Sequence, residues 1–250
     1  MTIPHIITLP EAASTNTSLA AIAAESPHGT VVTTRCQTAG RGQRGNTWEA
    51  APGRNITMSV LLKPETILAR EQFAVSEAVS LAIVTVLRRH LPAETRATIK
   101  WPNDIYVNDL KICGILIENS LVGNRIGHSI AGIGININQE RFLSDAPNPV
   151  SLFQLTGRIT PLDEIEREFV DEILATFSRV DRHGGALSLH GDYIESLWRN
   201  DGYYPYLDPA TGNRLSARIV DVAPTGHLTL AILPDDHTST YAFKEITSLL

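Results

Sequence analysis

Four cations in this chain stand beside glycines or turns, where the backbone can come close to a bound molecule. Arg41 and Arg44 belong to the loop GRGQRG, while Lys100 and Lys111 open the stretches KWPND and KICGIL. Guanidinium and ammonium groups bind the oxygen atoms of phosphates and carboxylates, and the guanidinium fork does so with two parallel hydrogen bonds. The pattern indicates either a site for such an anion or, taken one residue at a time, ordinary cations on the surface of the protein.

The glycines of the loop have the spacing G-x-G-x-x-G, at Gly40, Gly42 and Gly45. This is also the pattern of a dinucleotide-binding turn, which must open a helix whose first N–H groups face the pyrophosphate. Here the loop runs through Pro52-Gly53 into a β-prone stretch, and no Lys-Ser or Lys-Thr pair ends it as in a P-loop. The sequence therefore argues against both an NAD site and a P-loop.

Composition narrows the class of protein. The 250 residues are 43% hydrophobic, which suffices for one large core with a small appended domain. A formal net charge of −6 argues against a general nucleic-acid binder, which normally carries a basic face. No secretory signal and no membrane-spanning apolar run is visible, and the cysteines and histidines show no zinc spacing. We expect a soluble, cytoplasmic protein.

The elements that must position the four cations are predicted to form an α+β fold. Runs of β-branched and apolar residues predict strands, and Asn108-Asp109 is typical of a hairpin turn. The predicted strands are residues 5–9, 30–35, 55–62, 97–101, 105–107, 111–118 and 126–137. Helices are predicted from about Ser14, over 71–91 and over 161–182. The acidic residues of the last helix are expected on a solvated face, and they are Asp163, Glu164, Glu166 and Glu168.

The residue pattern of the sequence changes after about Asn200. Short β-prone pieces at 215–222, 228–233 and 240–243 alternate with Gly, Pro and Asp turns, which predicts a small β-barrel. We therefore divide the chain into a first domain of residues 1–199 and a C-terminal domain of residues 200–250.

Taken in order, GRGQRG, KWPND, KICGIL and GIGIN resemble the motifs of the biotin protein ligase family. The resemblance covers roughly residues 5 to 250, from Ser14-Thr15-Asn16 to the C-terminal barrel. It implies a mixed β-sheet with flanking helices as the catalytic domain that binds biotin and ATP. It also implies an enzyme that joins biotin to ATP, with Mg²⁺, to give biotinyl-adenylate and pyrophosphate. Biotin then passes to one lysine of a biotin carboxyl carrier protein domain, as in acetyl-CoA carboxylase.

Some members of that family begin with a helix-turn-helix domain and repress transcription. This chain starts directly at the region of resemblance, so we expect the monofunctional form. Neither nucleic acid nor a membrane is expected as a partner, and the resemblance is compatible with a monomer or a homodimer.

The resemblance also implies roles for individual residues. Lys111 would lie between the biotin carboxylate and the α-phosphate, so it is the first candidate for catalysis, and Arg41 is the second. The residues implied in biotin binding are Ser14, Thr15, Asn16, Gln37, Gly40, Arg41, Gly42, Gln43, Lys111, Gly114, Gly132 and Gly134. Those implied in binding ATP and the adenylate are Arg41, Arg44, Trp48, Lys100, Asn103, Asp104, Lys111 and Asn136. The ligands of the metal are not assigned.

These residue types suit that reaction. A carboxylate that attacks an anionic phosphate meets a repulsion of roughly 4 kcal/mol, for unit charges about 4 Å apart at an effective dielectric of 20. Fixed cations remove that repulsion, and the substrate carboxylate is itself the nucleophile. Trp48 would supply an apolar cover for the intermediate. Ser14 is alternatively a plain helix N-cap, and Asn136 a strand-end residue that supports the site without touching a ligand.

Two positions depart from the family pattern. Gln43 stands where many relatives have arginine, which removes one charge from the loop that would retain the adenylate. Cys113 stands where a small residue is usual, so the floor of the pocket is expected to be slightly altered.

Three other functions are open to the residues. A lipoyl or octanoyl transferase of the related fold would use Cys113 as an acyl-carrying nucleophile, its thiolate favoured by Lys111. A non-catalytic module would recognise carrier domains, although intact Lys111 and Arg41 argue against it. A serine hydrolase is suggested by GHSIA at 127–131, but Ser129 falls inside an alternating strand and not on the strand-turn-helix elbow that this motif needs.

Overall fold

A seven-stranded mixed sheet forms the larger part of the protein, in a computed structural model that describes residues 4–43, 47–143 and 147–249. Its strands lie in the order β1-β2-β3-β7-β6-β5-β4, with β1 and β2 parallel and the other neighbours antiparallel. The strands are β1 (His5–Leu9), β2 (Thr30–Thr34), β3 (Ile56–Leu62), β4 (Ala97–Lys100), β5 (Asp104–Val107), β6 (Leu110–Val122) and β7 (Arg125–Ile135). The sheet thus brings β3 beside β7, although the two strands are far apart in sequence.

Helices cover both faces of this sheet. Two long helices, α2 (Phe73–His90) and α4 (Leu162–Val180), pack with the larger apolar core on one face. On the other face, α1 (Thr15–Ala20) closes a smaller core made by Leu19, Ala23, Val32, Leu61 and Ile130. Two short helices, α3 (Leu152–Thr156) and α5 (His190–Glu195), contribute Leu152 and Tyr193 to the larger core. In the described part of the chain, no helix is both long and apolar enough to cross a membrane.

Alternation along the central strands decides which side chains meet a ligand. In β7, Ile133 and Ile135 belong to the larger core, so Gly132 and Gly134 face the α1 side, because neighbouring side chains point to opposite faces. In β6, Cys113 and Ile115 likewise enter the core, and Gly114, Leu116 and Glu118 share the α1 side. In β3, the same rule leaves Thr57, Ser59 and Leu61 on that side. The α1 side of the sheet therefore carries three glycines and the small polar residues Thr57 and Ser59, beside the smaller apolar core.

The C-terminal region forms a second, five-stranded antiparallel sheet in the order β11-β10-β9-β8-β12. Its strands are β8 (Tyr204–Leu207), β9 (Arg214–Val222), β10 (Leu228–Ile232), β11 (His237–Tyr241) and β12 (Thr247–Ser248). The α+β class with a small C-terminal β domain is confirmed. The boundary between residues 199 and 200 stays a prediction.

Most predicted elements are present, and the differences have local causes. Helices α3 and α5 were not predicted, because elements of five and six residues are too short to show a helical period. β11 begins at His237, three residues before the predicted strand. Ser129 is fully buried within β7 and donates a hydrogen bond to the Asn119 side chain, 2.7 Å away, so it occupies the ladder position that the alternation predicted.

The predicted solvated face of α4 is wrong for Glu166, which is buried. Its carboxylate accepts hydrogen bonds from Arg35 at 2.5 Å and from the Thr33 hydroxyl at 2.8 Å. Asp163, on the same helix, also pairs with Arg35 but is exposed. The helical pattern could not show that a cation and a hydroxyl at the end of β2 would meet this acid.

Candidate functional site

A cavity of about 280 Å³ lies between the α1 side of the large sheet and the second sheet. Among the residues predicted for the site, those that line it are Ser14, Thr15, Asn16, Gln37, Arg41, Gly42, Gln43, Trp48, Lys100, Asn103, Asp104, Lys111, Gly114, Gly132 and Gly134. Arg44 lies outside the described residues. The cavity therefore gathers α1, the glycine loop, the KWPND turn and two strands at one place.

The three glycines of β6 and β7 that line the cavity make room for side chains of the protein itself. Gly114 and Gly134 are paired across the two strands, and Cβ atoms built on them would crowd the indole ring of Trp48. A Cβ at Gly132 would overlap the side-chain amide of Asn16. These positions were predicted to let a ligand approach the backbone. In the structure they admit Trp48 and Asn16, which then form part of the cavity wall.

Neutral hydrogen-bonding groups form one end of the cavity, here called the polar end and consisting of Ser14, Thr15, Asn16 and Gln37 with Ser59 behind them. The Gln37 side-chain oxygen accepts from the Thr15 main-chain N–H at 3.0 Å. The Ser59 hydroxyl lies 2.7 Å from the Thr15 hydroxyl and 2.6 Å from Asn16 Oδ1. Most polar atoms at this end are already bonded to each other, so their positions are fixed before a ligand arrives.

Ser14 occupies the position before α1, as predicted, but its side chain makes no capping hydrogen bond. The N-cap alternative to a ligand-binding role therefore has no support from a side-chain contact among the described residues. The residue is buried and lines the cavity.

Charged groups form the opposite end, here called the cationic end and consisting of Lys100, Asp104 and Lys111. Lys111 Nζ lies 2.8 Å from Asp104 Oδ1 and 5.8 Å from the centre of the Trp48 ring. Lys100 Nζ lies 3.1 Å from the Tyr106 hydroxyl. Asn16 meets β6 at Leu116 and Glu118, whereas Lys111 stands near the start of the same strand, so the two ends are separated along β6.

The main chain of Lys111 is held on two sides. It pairs with Tyr106 of β5 in the ladder, and its N–H donates to the Asn148 carbonyl at 2.7 Å. In return, the Val150 N–H donates to the Lys111 carbonyl at 2.9 Å. The lysine side chain is thus placed by a rigid strand and not by a loop.

The KWPND turn connects the cationic end to the second sheet. Its Trp101–Pro102 peptide bond is cis, and Asn103 donates its side-chain N–H to the Ile115 carbonyl of β6. Trp101 Nε1 donates to the Gly226 carbonyl at 3.0 Å, and its ring packs edge-on against Phe243. Asn103 was predicted to bind nucleotide, but its N–H is committed to β6, so its contact here is one that fixes the turn.

Arg41, in the glycine loop, is half exposed and forms an ion pair with Glu118 of β6 at 3.2 Å. The same carboxylate oxygen accepts a hydrogen bond from Asn16 Nδ2 at 2.7 Å. Arg41 therefore lies at the exposed edge of the cavity with an acidic partner from its own chain.

Two predicted residues lie behind the cavity wall. The Gly40 carbonyl accepts a hydrogen bond from the Trp48 main-chain N–H at 3.0 Å and so fixes the main chain of the tryptophan. Asn136 is buried, and its side-chain N–H donates to the Val150 carbonyl at 3.1 Å. Neither residue is among the lining residues that the structure describes. Asn136 thus occupies the strand-end position that was its alternative interpretation.

Cys113 faces the larger core and not the cavity, so the expected change to the pocket floor is wrong. Burial raises the pKa of its thiol well above the usual range, and nearby Asp104 raises it further, while Lys111 opposes both. A thiol that is completely buried and disfavours its thiolate is a poor nucleophile. The structure therefore contradicts the acyl-carrying role that the sequence left open.

Several lining residues were not predicted at all. Two further residues, Ser59 behind the polar end and Glu118 beside Arg41, are not lining residues but hold residues that are, and only the alternation along their strands could have indicated them. The lining residues of the second sheet and its last turn are Tyr206, Leu228, Phe243, Lys244, Ile246, Thr247 and Ser248. No motif marks this second group, because it reaches the cavity only when the second sheet packs against the KWPND turn.

The sequence of this chain is similar to a known family and to curated relatives. Residues 10–136, about half of the chain, match the Biotin/lipoate A/B protein ligase family. A relative from Bacillus spizizenii named bifunctional ligase/repressor BirA is 36% identical over 181 residues, which cover 70% of this chain and 52% of the relative. A biotin–[acetyl-CoA-carboxylase] ligase from Paracoccus denitrificans is 33% identical over 153 residues, 59% of this chain and 61% of the relative. The chain thus spans about half the length of the first of these curated relatives and somewhat more of the second.

The fold also matches solved structures. The biotin protein ligase from Aquifex aeolicus, solved in complex with biotin and ATP, superimposes with a TM-score of 0.77 over 99% of both chains at 22% identity. At 22% identity this structural similarity shows that the two proteins share the same fold. It covers the second sheet as well as the first.

Proposed function

The chain belongs to the biotin/lipoate A/B protein ligase family, and from that premise we propose that it is a biotin protein ligase. It would join the carboxylate of biotin to the α-phosphate of ATP, releasing pyrophosphate. The amine of an acceptor lysine would then attack the carbonyl carbon of the biotinyl-adenylate, forming an amide and releasing AMP and a proton. The acceptor lysine would belong to a biotin carboxyl carrier domain, and the name of the Paracoccus relative gives acetyl-CoA carboxylase as the protein that is modified there.

The observation that carries this proposal is the union of a neutral polar end and a cationic end in one cavity. Biotin has the matching polarity, with a neutral ureido ring at one end, an apolar tail and a carboxylate at the other. Polar groups that fix orientation within an otherwise apolar cleft are the usual construction of such sites. The Trp48 ring, lying against Gly114 and Gly134, would cover the tail.

In the reaction, Lys111 would exchange Asp104 for the oxygens of the reacting carboxylate and α-phosphate. An ammonium group between two anions removes their repulsion and stabilises charge that builds up on the phosphorus. Lys111 would therefore be the catalytic residue. Arg41 would leave Glu118 to meet the adenylate phosphate, since a guanidinium binds phosphate oxygens with two hydrogen bonds.

The site fits Mg²⁺ only as a partner of the nucleotide. Among the described lining residues, Asp104 carries the only carboxylate, and no cluster of three metal-binding side chains occurs in the described part of the chain. One carboxylate together with substrate phosphates is an ordinary environment for Mg²⁺. Bound there, the ion would neutralise phosphate charge, and Asp104 and Asn103 would be the nearest groups of the chain to hold it.

The proposal is tested by incubating the protein with biotin, ATP and MgCl₂ and looking for biotinyl-adenylate by mass spectrometry. Addition of a biotin carboxyl carrier domain should then give an increase in carrier mass equal to one biotin. Parallel reactions with lipoate or octanoate distinguish the other activities of the family. Failure to form biotinyl-adenylate with all components present, or a preference for lipoate, would contradict the proposal.

A further inference from the structure

One carboxylate oxygen joins the polar end of the cavity to the glycine loop. Glu118 Oε2 accepts hydrogen bonds from Asn16 Nδ2 at 2.7 Å and from Arg41 at 3.2 Å. Glu118 is on β6, on the same face as Gly114 and Leu116, and its side chain is about two-fifths exposed (41%). Neither of its two partners comes from a neighbouring strand, so the pairing is not a feature of the sheet ladder.

The charge of Glu118 fixes which way round the Asn16 amide lies. The amide nitrogen faces Glu118 and the Leu116 carbonyl, 3.3 Å away. Both of these groups can only accept hydrogen bonds, so only the NH₂ of Asn16 can face them. Asn16 Oδ1 must then point to the Ser59 hydroxyl, 2.6 Å away.

That orientation determines the next two hydrogen bonds. Because Asn16 Oδ1 can only accept, Ser59 must donate its single hydroxyl proton to it. The Ser59 oxygen can then only accept from the Thr15 hydroxyl, 2.7 Å away, and the other acceptor near that hydroxyl, Gln37 Oε1, is more distant at 3.5 Å and also inside the protein. Thr15 therefore uses its proton inside the protein, and its Oγ1 offers only lone pairs to the cavity that it lines.

We propose that Glu118 is a positioning residue that, through Asn16 and Ser59, sets the Thr15 hydroxyl to accept a hydrogen bond from an N–H group of the bound ring. The inference rests on the proposed function, since the ureido ring of biotin carries such N–H groups. The dithiolane ring of lipoate carries none, so the arrangement would favour the first ligand over the second. An uncharged amide in place of Glu118 can present either N–H or C=O to Asn16. Only the longer contact to the Leu116 carbonyl, at 3.3 Å, then favours the observed orientation of the amide, and the chain of hydrogen bonds holds its direction less firmly.

The experiment measures binding without ATP, by calorimetry, for biotin and for biotin methylated on its ureido nitrogens. In Glu118→Gln we expect the dissociation constant for biotin to rise about tenfold. The factor by which methylation weakens binding should shrink by about the same amount, because the hydroxyl that accepts the N–H is held less firmly in the accepting orientation. In steady-state assays, KM for biotin should rise while kcat stays within about twofold.

The matched control is Asp163→Asn, which also removes a carboxylate paired with an arginine but lies on α4, away from the cavity. It should leave both dissociation constants unchanged. Ser59→Ala breaks the same chain of hydrogen bonds without touching Glu118 or Arg41, and it should also reduce the sensitivity to methylation.

Two outcomes would overturn the inference. One is an unchanged dissociation constant for biotin in Glu118→Gln. The other is equal weakening for biotin and its methylated form, which would mean that the charge matters but the hydrogen-bond direction does not. Failure of the wild-type protein to bind biotin at all would instead contradict the proposed function.

Discussion

The two ends of the cavity differ in how their polar groups are held. At the polar end, hydrogen-bonding groups of α1, the side chain of Ser59 on β3 and the side chain of Gln37 in the segment after β2 bond to each other. At the cationic end, Lys111 is paired with Asp104, a partner that a substrate would have to displace. The cationic end also depends on the second sheet, through the contact between Trp101 and Gly226.

The polar end is therefore organised before a ligand binds. At the cationic end, Lys111 is paired with an acid of the same chain until a substrate replaces that acid. A cation without a partner in a half-buried site is costly, and pairing with an acid of the same chain avoids that cost. We therefore expect changes at the polar end to act on biotin affinity, and changes at the cationic end to act on the nucleotide and on the reaction.

The largest expected effect breaks the cationic end alone. Lys111→Ala should reduce the rate of biotinyl-adenylate formation by roughly 100- to 1,000-fold, because losing one preorganised donor typically costs about 3–4 kcal/mol in the barrier. Biotin binding without ATP should change far less. Lys63→Ala removes a lysine whose Nζ donates a hydrogen bond to the Ala24 carbonyl and which is not among the described lining residues of the cavity, so it serves as the control. Normal adenylation by a folded Lys111→Ala protein would contradict the role of Lys111.

The polar end is tested by steric crowding. In Gly132→Ala the added methyl group overlaps the Asn16 amide, and overpacking of this kind costs about 1–3 kcal/mol. Biotin affinity should fall roughly 10-fold, or more, while KM for ATP stays near the wild-type value. Gly191→Ala is the control, since a methyl group there meets nothing within 4 Å. Equal losses for biotin and ATP would show that the two ends are not separable.

A smaller effect is expected where the cationic end meets the second sheet. Trp101→Phe removes the indole N–H that bonds the Gly226 carbonyl at 3.0 Å. A hydrogen bond contributes about 1 kcal/mol net, so KM for ATP should rise about fivefold with biotin affinity unchanged. Tyr203→Phe, which loses its contacts to Asp236 and Arg218 away from the cavity, is the control. An unchanged KM for ATP in Trp101→Phe would mean that the second sheet does not support the cationic end.

The smallest effect concerns pH and the junction between the sheets. His190 of α5 bonds Glu77 of α2 at 2.9 Å and Asp221 of β9 at 2.8 Å. Burial alone would lower the pKa of His190, but these two acids outweigh it and raise the pKa. Burial also raises the pKa of Glu77, against the opposing effect of His190.

A histidine with a raised pKa in the folded state stabilises the protein fully below its unfolded value of 6.5, and this contribution is lost as the pH rises through the folded value. The raised pKa of Glu77 acts in the same direction, from its unfolded value of 4.5 upward. The wild-type protein should therefore lose free energy of unfolding, by at most about 1 kcal/mol, relative to the double variant Glu77→Gln/His190→Gln between pH 6 and 9. Chemical denaturation at several pH values measures this difference. Parallel curves of unfolding free energy against pH for the two proteins would exclude the junction as a titrating contact. His28, whose pKa is lowered by burial, is present in both proteins, so its titration cancels in the difference.

Much of the site could be predicted from short stretches of the sequence. The strand and helix periods are local, and so are the turn at Asn108-Asp109 and the loop that carries Arg41. In KICGIL a lysine precedes a glycine by three residues, so Lys111 and Gly114 lie close together on one strand in any fold that forms this strand. Most of the residues proposed from these motifs do line the cavity.

Other features depended on which strands became neighbours. In the sequence, Ser59 is one serine within an apolar strand. Its role is visible only in the fold, where β3 lies beside β7 and Asn16 of α1 bonds the Ser59 hydroxyl. Glu118 looks like a strand-end surface acid until Arg41 reaches it from the loop, 77 residues away in the chain. The burial of Glu166 by Arg35 has the same origin.

The sequence by itself determined which residues can do chemistry here, because side-chain type and spacing along a strand or turn are properties of a few consecutive residues. Only the tertiary structure decided which partners those residues have. It paired Lys111 with Asp104, gave Glu118 two donors, turned Cys113 into the core and brought the second sheet against the KWPND turn. The physical reason is that hydrogen bonds, ion pairs and burial act across space between distant segments, and their partners are chosen when the sheets and helices pack as a whole.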